Sequence, residues 1–342
     1  MKGTSRRLAL PAAVVAVSIA LGSALLLGRA GDAVSAPAAG PRTGVVVVNT
    51  NTNLAFVHSA AAGTGIVLSG SGLVLTNNHV IRGASTIRVT DPSDRRTFSA
   101  RVLGYSVSKD IALLQLKNPR GLHPARLGNS STARTGQFVT AVGNAGGTGS
   151  LSVVTGRVIG LGQAITVSDD NGGTNRLVGL IETSAPLQPG DSGGPLLANG
   201  RVIGVDAAAS GTTGFGDTNE GYAIPINTAL SIAHQVESSR RSSTVHIGST
   251  AFLGVLLQQP DYPGGSEGAI VQQVLPGTAA ERAGIESGDV ITRVGSRLID
   301  SADRLHNVIL QVVPGKPIRI VWTDTSGFTR VATVRLAAGP PQ

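Results

Sequence analysis

Gly190-Asp191-Ser192-Gly193-Gly194-Pro195 is the stretch that decides how this chain folds and what it can do. A serine set between glycines lies where the backbone can turn sharply and present its N–H groups outward. Such a loop can hold a nucleophilic hydroxyl and two amide donors for a developing oxyanion in one short segment. A serine hydroxyl is a poor nucleophile near neutral pH and needs a base within hydrogen-bond reach. Upstream stand Thr76-Asn77-Asn78-His79-Val80 and Lys109-Asp110-Ile111-Ala112-Leu113-Leu114. Singly, a histidine after two asparagines is a turn residue, an aspartate at a strand start is a cap, and a glycine-rich run is a loop. Together, in the order His79, Asp110, Ser192, each beside a strand-like run, they compose a base, its orienting acid and a nucleophile. His58, His123, His234, His246 and His306 lack such company and read as surface or packing residues.

That order is the one found in the chymotrypsin architecture, and it differs from subtilisin and the α/β-hydrolases. The three motifs resemble those of the HtrA branch of trypsin-like serine proteases. Gly221-Tyr222-Ala223-Ile224-Pro225 resembles the segment that ends the protease domain in that branch, and residues 250–338 resemble a PDZ domain. The resemblance covers residues 44–338 and is strongest to the secreted, PDZ-bearing proteases of actinobacteria. It implies that Ser192 attacks, that His79 takes and later returns the proton, and that Asp110 fixes the imidazole tautomer. It also implies an oxyanion hole from the N–H groups of Gly190 and Ser192.

The fold that follows is mostly β: a double six-stranded β-barrel, then an α+β PDZ domain, with an N-terminal hydrophobic leader or anchor helix. Gly65–Leu68 and Leu73–Thr76 flank Ser69-Gly70-Ser71-Gly72, a hairpin signal. With Thr86–Thr90, Thr97–Gly104 and Ile111–Leu116 they make a first barrel carrying His79 and Asp110. Phe138–Gly143, Ser152–Leu161, Leu177–Thr183, Gly194–Leu197, Val202–Ala207 and Gly221–Ile224 make a second, carrying Ser192. Apolar residues at helical spacing over Thr228–Val236 predict a helix packed on the second barrel. The expected divisions are a signal peptide or anchor over 1–31, a tether over 32–43, protease 44–237, linker 238–249 and PDZ 250–338.

Substrate preference is partly legible through the resemblance. In trypsin-like enzymes the floor of the primary pocket lies six residues before the nucleophile, which here is Pro186, followed by Leu187. The opposite wall is Asp206-Ala207-Ala208. No acid stands at the floor to pair with Arg or Lys, so cleavage after small or medium apolar residues is expected, with the direction of the Asp206 side chain left open. Many relatives carry Asn where this chain has Asp191. In zymogen-activated trypsins that Asp pairs with a freed amino terminus. No activation site precedes Gly44, so Asp191 has another partner or stays solvated.

In the C-terminal module Ala251-Phe252-Leu253-Gly254-Val255 resembles a carboxylate-binding loop. The amides of Leu253, Gly254 and Val255 would cup a peptide C-terminus, with the peptide added as a strand beside residues 255–258. Pro276–Ile285 and Gly288-Asp289-Val290-Ile291 match the usual helix and turn. The plain alternative is a degenerate module that acts as a spacer.

Composition narrows the rest. The 342 residues are 41% hydrophobic but only 3% aromatic, so the cores must be built from Val, Ile, Leu and Ala. There is no cysteine, which excludes disulfides and thiolate chemistry, and the six histidines show no metal-ligand spacing. No metal or cofactor is expected. The net charge of +8 is scattered, without aromatic interleaving, so a solvated basic surface is expected rather than nucleic-acid binding. Lys2, Arg6 and Arg7 precede an apolar run over residues 8–28. That run is about as long as a bilayer core is thick, ~30 Å. Gly31-Asp32-Ala33 offers a signal-peptidase site, so an uncleaved membrane anchor and a cleaved leader both remain open; either sends the rest across the membrane. The expected location is the outer side of the cell membrane or the envelope and extracellular space.

The resulting expectation is an HtrA-type endopeptidase acting on unfolded or exposed polypeptide, with peptide C-termini as PDZ partners. A homotrimer enters by analogy alone. The rivals are a chaperone or peptide-binding protein with a resting-inactive protease domain, and an esterase using the same site.

Overall fold

The computed structural model describes residues 40–54, 57–168, 174–209, 220–258 and 268–342. The chain divides into two units, Met1–Ala38 and Ala39–Gln342. The leader over residues 8–28 and the start of the tether lie outside the described residues. No helix among the described residues is long and apolar enough to cross a membrane.

Seven elements build the first barrel: β1 (Val45–Leu54), β2 (Val57–Val67), β3 (Leu73–Thr76), helix α1 (Asn78–Ile81), β4 (Thr86–Asp91), β5 (Arg96–Ser106) and β6 (Ile111–Leu116). The strands run β5-β4-β1-β2-β3-β6, and pairing of β5 with β6 closes the ring. The residue pattern explains the pairing. In β4 buried and exposed residues alternate, with Ile87 and Val89 inward, as period-2 geometry requires. In β3 every residue is buried, and β6 carries Ile111, Ala112, Leu113 and Leu114 at 0% exposure, because barrel interior lies on one side and packed structure on the other.

The second ring is closed as β10-β11-β12-β9-β8-β7, from β7 (Phe138–Gly143), β8 (Ser152–Ser168), β9 (Thr174–Thr183), β10 (Pro195–Ala198), β11 (Arg201–Ala209) and β12 (Gly221–Pro225). β8 continues past its expected end at Leu161 to Ser168 and β9 starts at Thr174 ahead of the expected Leu177, while Ile159, Leu161 and Val178, within the expected bounds, are exposed. Both cores are mostly aliphatic, as the composition requires, with Phe98 and Tyr105 the aromatic members in the first. Truncating one of the fully buried members such as Leu113 to Ala would cost about 2–5 kcal/mol.

Helix α2 (Ile226–Glu237) follows. It was expected on the second barrel, but it packs on β11 and β12 and also on β5 and β6 of the first. Gly104 of β5 has no side chain, and that lets Val236 approach its backbone. The stretch expected as a plain linker contains β13 (His246–Ile247), which adds to the outside of the first ring by pairing with Tyr105 and Gly104.

The C-terminal module holds β14 (Thr250–Phe252), β15 (Val255–Leu257), β16 (Ala269–Val274), α3 (Ala279–Ala283), β17 (Val290–Val294), β18 (Arg297–Leu298), α4 (Ala302–Ile309), β19 (Pro317–Thr323), β20 (Thr329–Arg335) and β21 (Ala337–Gly339). Its main sheet runs β15-β16-β17-β19-β20, with β15 at one edge, while β14 pairs with β21. Its own core gathers Leu253, Ile285, Ile291, Leu305, Ile320, Trp322 and Leu336.

Candidate active site

His79 sits on α1, a single turn directly after β3. Asn77 before it is fully buried, and its Nδ2 donates to the Asp110 carbonyl at 2.8 Å. Asp110 itself ends the tight turn from β5 to β6, with its N–H donating to Val107 O at 3.1 Å. Its φ of 51° is left-handed, a region that Asp and Asn tolerate better than other non-glycine residues. The turn aims the carboxylate at His79. Oδ1 accepts from the His79 main-chain N–H at 2.9 Å, and Oδ2 lies 2.7 Å from Nδ1. The acid is shielded, with a side-chain exposure of 7%, while the imidazole is 45% exposed. A carboxylate facing Nδ1 assigns the proton to that nitrogen and leaves the Nε2 lone pair as the base.

The loop carrying Ser192 is held by four hydrogen bonds to Thr64 and Asp206. Thr64 N–H donates to Ser192 O at 2.8 Å, Gly193 N–H to Asp206 O at 2.8 Å, and Asp206 N–H to Gly194 O at 2.8 Å. Thr64 Oγ1 donates to Gly190 O at 2.7 Å and accepts from Asn144 N–H at 2.9 Å. Thr64, on β2, thus ties the first barrel to the nucleophile loop of the second. Gly190 and Gly193 have φ of 99° and 86°, and a Cβ on either would strike backbone oxygen, of Asn144 and Thr64 respectively. The loop therefore requires glycine at both positions.

The amides matter most. The Pro189 carbonyl accepts from Gly146 N–H at 2.8 Å, so the Pro189–Gly190 peptide is held with its N–H on the opposite side. Neither the Gly190 nor the Ser192 N–H donates a hydrogen bond among the described residues. Two free donors flank a serine whose Oγ lies 3.5 Å from the Ala207 carbonyl.

Asp191 is neither solvated nor joined to an amine. It is 2% exposed, and its Oδ2 accepts from the Gln188 N–H at 2.9 Å. Burial raises its pKa. Asp206 is fully buried, and neither of its carboxyl oxygens has a hydrogen-bond partner among the described residues. Burial first, and then the Asp191 charge, push its pKa well above the usual carboxylate range.

Of the residues expected to line the primary pocket, Pro186 is exposed. The cause is a tight turn in which Leu187 N–H donates to Ala185 O at 2.8 Å, which puts Pro186 at the apex. Leu187 is turned inward at 8% exposure, against Gly221, and Ala207 is buried at 6%. Ala208 lies opposite Tyr222 in the β11–β12 ladder.

In the C-terminal module Gly254 has a φ of 88°, and a Cβ there would strike Thr278. Its carbonyl accepts from Leu275 N–H at 2.9 Å, and the Leu253 carbonyl accepts from Ala280 N–H at 3.0 Å. The amides of Leu253 and Gly254 make no hydrogen bond among the described residues. Leu253 is buried, while Val255 is half-buried at the start of the edge strand β15.

Residues 63–205 match the family model for a trypsin-like peptidase domain, and residues 251–322 match that for a PDZ domain. The serine protease PepD of Mycobacterium tuberculosis is 33% identical over 305 residues, covering 85% of this chain and 63% of PepD. The putative serine protease HhoA of Synechocystis is 35% identical over 274 residues, covering 76% of this chain and 67% of HhoA. The chain thus spans about two thirds of the length of these relatives. Among solved structures, that of the HtrA-type protease AlgW with a tripeptide matches with a TM-score of 0.50 at 27% identity, covering 88% of this chain and 95% of the other. The chain belongs to the HtrA-type family of trypsin-like serine proteases bearing a PDZ domain.

Proposed function

We propose that this chain is an exported serine endopeptidase that uses Ser192, His79 and Asp110, with its protease part over 44–237, a linker over 238–249 and a peptide-binding PDZ domain over 250–338. The observation that carries the reading is the double contact of Asp110 with His79, together with a serine loop whose Gly190 and Ser192 amides are unengaged among the described residues. In the reaction His79 Nε2 removes the Ser192 proton as Oγ attacks the scissile carbonyl. The carbonyl oxygen becomes an oxyanion that the Gly190 and Ser192 N–H groups receive. Asp110 stabilises the imidazolium, which then protonates the leaving amine. Water repeats the sequence on the acyl-enzyme. The rival in which the domain rests inactive requires an oxyanion loop with its donors withdrawn. The Pro189 carbonyl held by Gly146 supports the competent arrangement instead.

Small or medium apolar residues fit before the cut. The buried wall offers Leu187 and Ala207, and the acid beside Ala207, Asp206, is sealed and held toward neutrality. The free amides of Leu253 and Gly254 support capture of a peptide carboxylate at the PDZ loop. The charged and apolar pattern of residues 1–31 supports export. The test is hydrolysis of an unfolded protein substrate by the chain and by Ser192→Ala. The substitution is expected to remove turnover on the order of 10⁶-fold. Comparable hydrolysis by both contradicts the assignment.

A further inference from the structure

Residues 340–342 lie beyond the stretch matched by the PDZ family model, yet they are docked on the protease part. Pro340 and Pro341 are buried. The Pro341 carbonyl accepts from Gly83 N–H at 2.8 Å, and the Gln342 carbonyl accepts from Asn78 Nδ2 at 3.0 Å. The Gln342 N–H donates to the Tyr105 hydroxyl at 3.3 Å. Asn78 immediately precedes His79, and Gly83 follows the end of α1. The tail therefore holds the helix that carries His79 at both of its ends.

We propose that residues 340–342 are a positioning clamp for His79. The proposal rests on the catalytic reading above. A helix of four residues has little stability of its own, because nucleating one turn costs more than its hydrogen bond returns. α1 must therefore be held from outside. Thr50 Oγ1 donates to the Val80 carbonyl at 3.2 Å, Asp110 accepts from the His79 N–H at 2.9 Å and Thr52 Oγ1 donates to the Gly83 carbonyl at 2.9 Å, and the tail adds one further tie at each end of the helix. The tail is itself anchored. Tyr105 is fully buried, and its hydroxyl shares a hydrogen bond of 2.8 Å with Thr250 Oγ1. Thr250 pairs with Gly339 in the β14–β21 ladder that leads into residues 340–342. β14 also leads directly into Leu253 and Gly254, so one short sheet joins the carboxylate-binding loop to the clamp.

The clamp works through main-chain groups, namely the carbonyls of 341 and 342 and the N–H of 342. Its removal must then differ from a change of side chain. The experiment compares the full chain, a chain lacking residues 340–342, Gln342→Ala and Tyr105→Phe. Each is reacted with a fluorophosphonate, and the phosphonylation rate constant and final stoichiometry are measured separately. Loss of the tail is expected to slow phosphonylation on the order of 10–100-fold while stoichiometry stays complete, because about 1 Å of misplacement can cost 10²-fold. Gln342→Ala, which restores the main-chain ties, is expected to restore the rate. Tyr105→Phe, which keeps the ring and loses only the hydroxyl, is expected to slow it several-fold. A parent-like rate constant in the shortened chain, at full or reduced stoichiometry, overturns the clamp. So does an unchanged rate in Tyr105→Phe. A parent chain that does not react at all overturns the proposed function and the clamp with it.

Discussion

Asp110 grips His79 twice, by its main-chain N–H at 2.9 Å and by Nδ1 at 2.7 Å. One contact sets where the residue sits and the other sets which nitrogen bears the proton. Asp110→Asn can keep only one of them properly. Asn has one side-chain oxygen where Asp110 uses two, so in this geometry the amide meets one of the two N–H groups, and an amide NH₂ facing Nδ1 drives the proton to Nε2. Turnover is therefore expected to fall by about 10⁴, with the fold intact. Steady-state peptide hydrolysis beside a thermal melt checks this. Activity within a few-fold of the parent would mean that another acid orients His79.

Asp206 predicts an unusual pH dependence of stability. Its pKa in the folded chain is raised well above the unfolded value of about 4 by burial and then by Asp191. Asp191 is the charged neighbour. The flanking strands β7, β10 and β12 bring Tyr222 as their only titratable side chain, and its hydroxyl is engaged with Glu182 at 3.2 Å. An acid with a raised folded pKa binds its proton more tightly when folded. Its cost is absent below about pH 4 and grows as pH rises toward the folded value. Asp206→Asn removes that cost. The melting temperature is expected to rise near pH 7, on the order of 2–4 °C per kcal/mol regained, and to stay unchanged near pH 4. Melts of both chains at the two pH values decide. Equal gains at both, or a loss at pH 7, would show that the carboxylate has a stabilising partner.

The free amides at Leu253 and Gly254 predict that the PDZ domain reads a carboxylate. Hydrogen bonds to a charged partner contribute about 1.5–3 kcal/mol net. Amidating a bound peptide's C-terminus should then weaken binding about tenfold or more. Titration of the full Ser192→Ala chain with matched acid and amide peptides measures it. Equal affinities would leave internal strand addition at β15, or no peptide binding at all.

Much of this architecture was legible in the residues. β3, β6 and β7 fall where their apolar runs begin and end, at Leu73–Thr76, Ile111–Leu116 and Phe138–Gly143. The continuation of β8 to Ser168 was not, because Gly160, Gly162 and register shifts break the alternation and the outer residues are exposed. His246 and Ile247 look like linker until their partner, more than a hundred residues earlier, is known. Within the site the order His79, Asp110, Ser192 was readable. Thr64 was not, since a threonine inside a small-residue strand carries no local sign of the two loops it joins. The tight turn that sets Pro186 between Ala185 and Leu187 carries no local sign in the sequence beyond the proline itself. Residues 340–342 carry no motif, and their ties run through the main chain.

The central claim is that Ser192 is a nucleophile made reactive by His79. Mapping the site of a fluorophosphonate adduct by peptide mass spectrometry tests it most directly. The adduct is expected on the peptide containing Ser192 in the folded parent chain. It should disappear on heat unfolding and be lost or greatly slowed in His79→Ala. Hydrolysis of protein substrate by a chain that carries no adduct at Ser192, or an adduct equally fast without His79, would contradict the account.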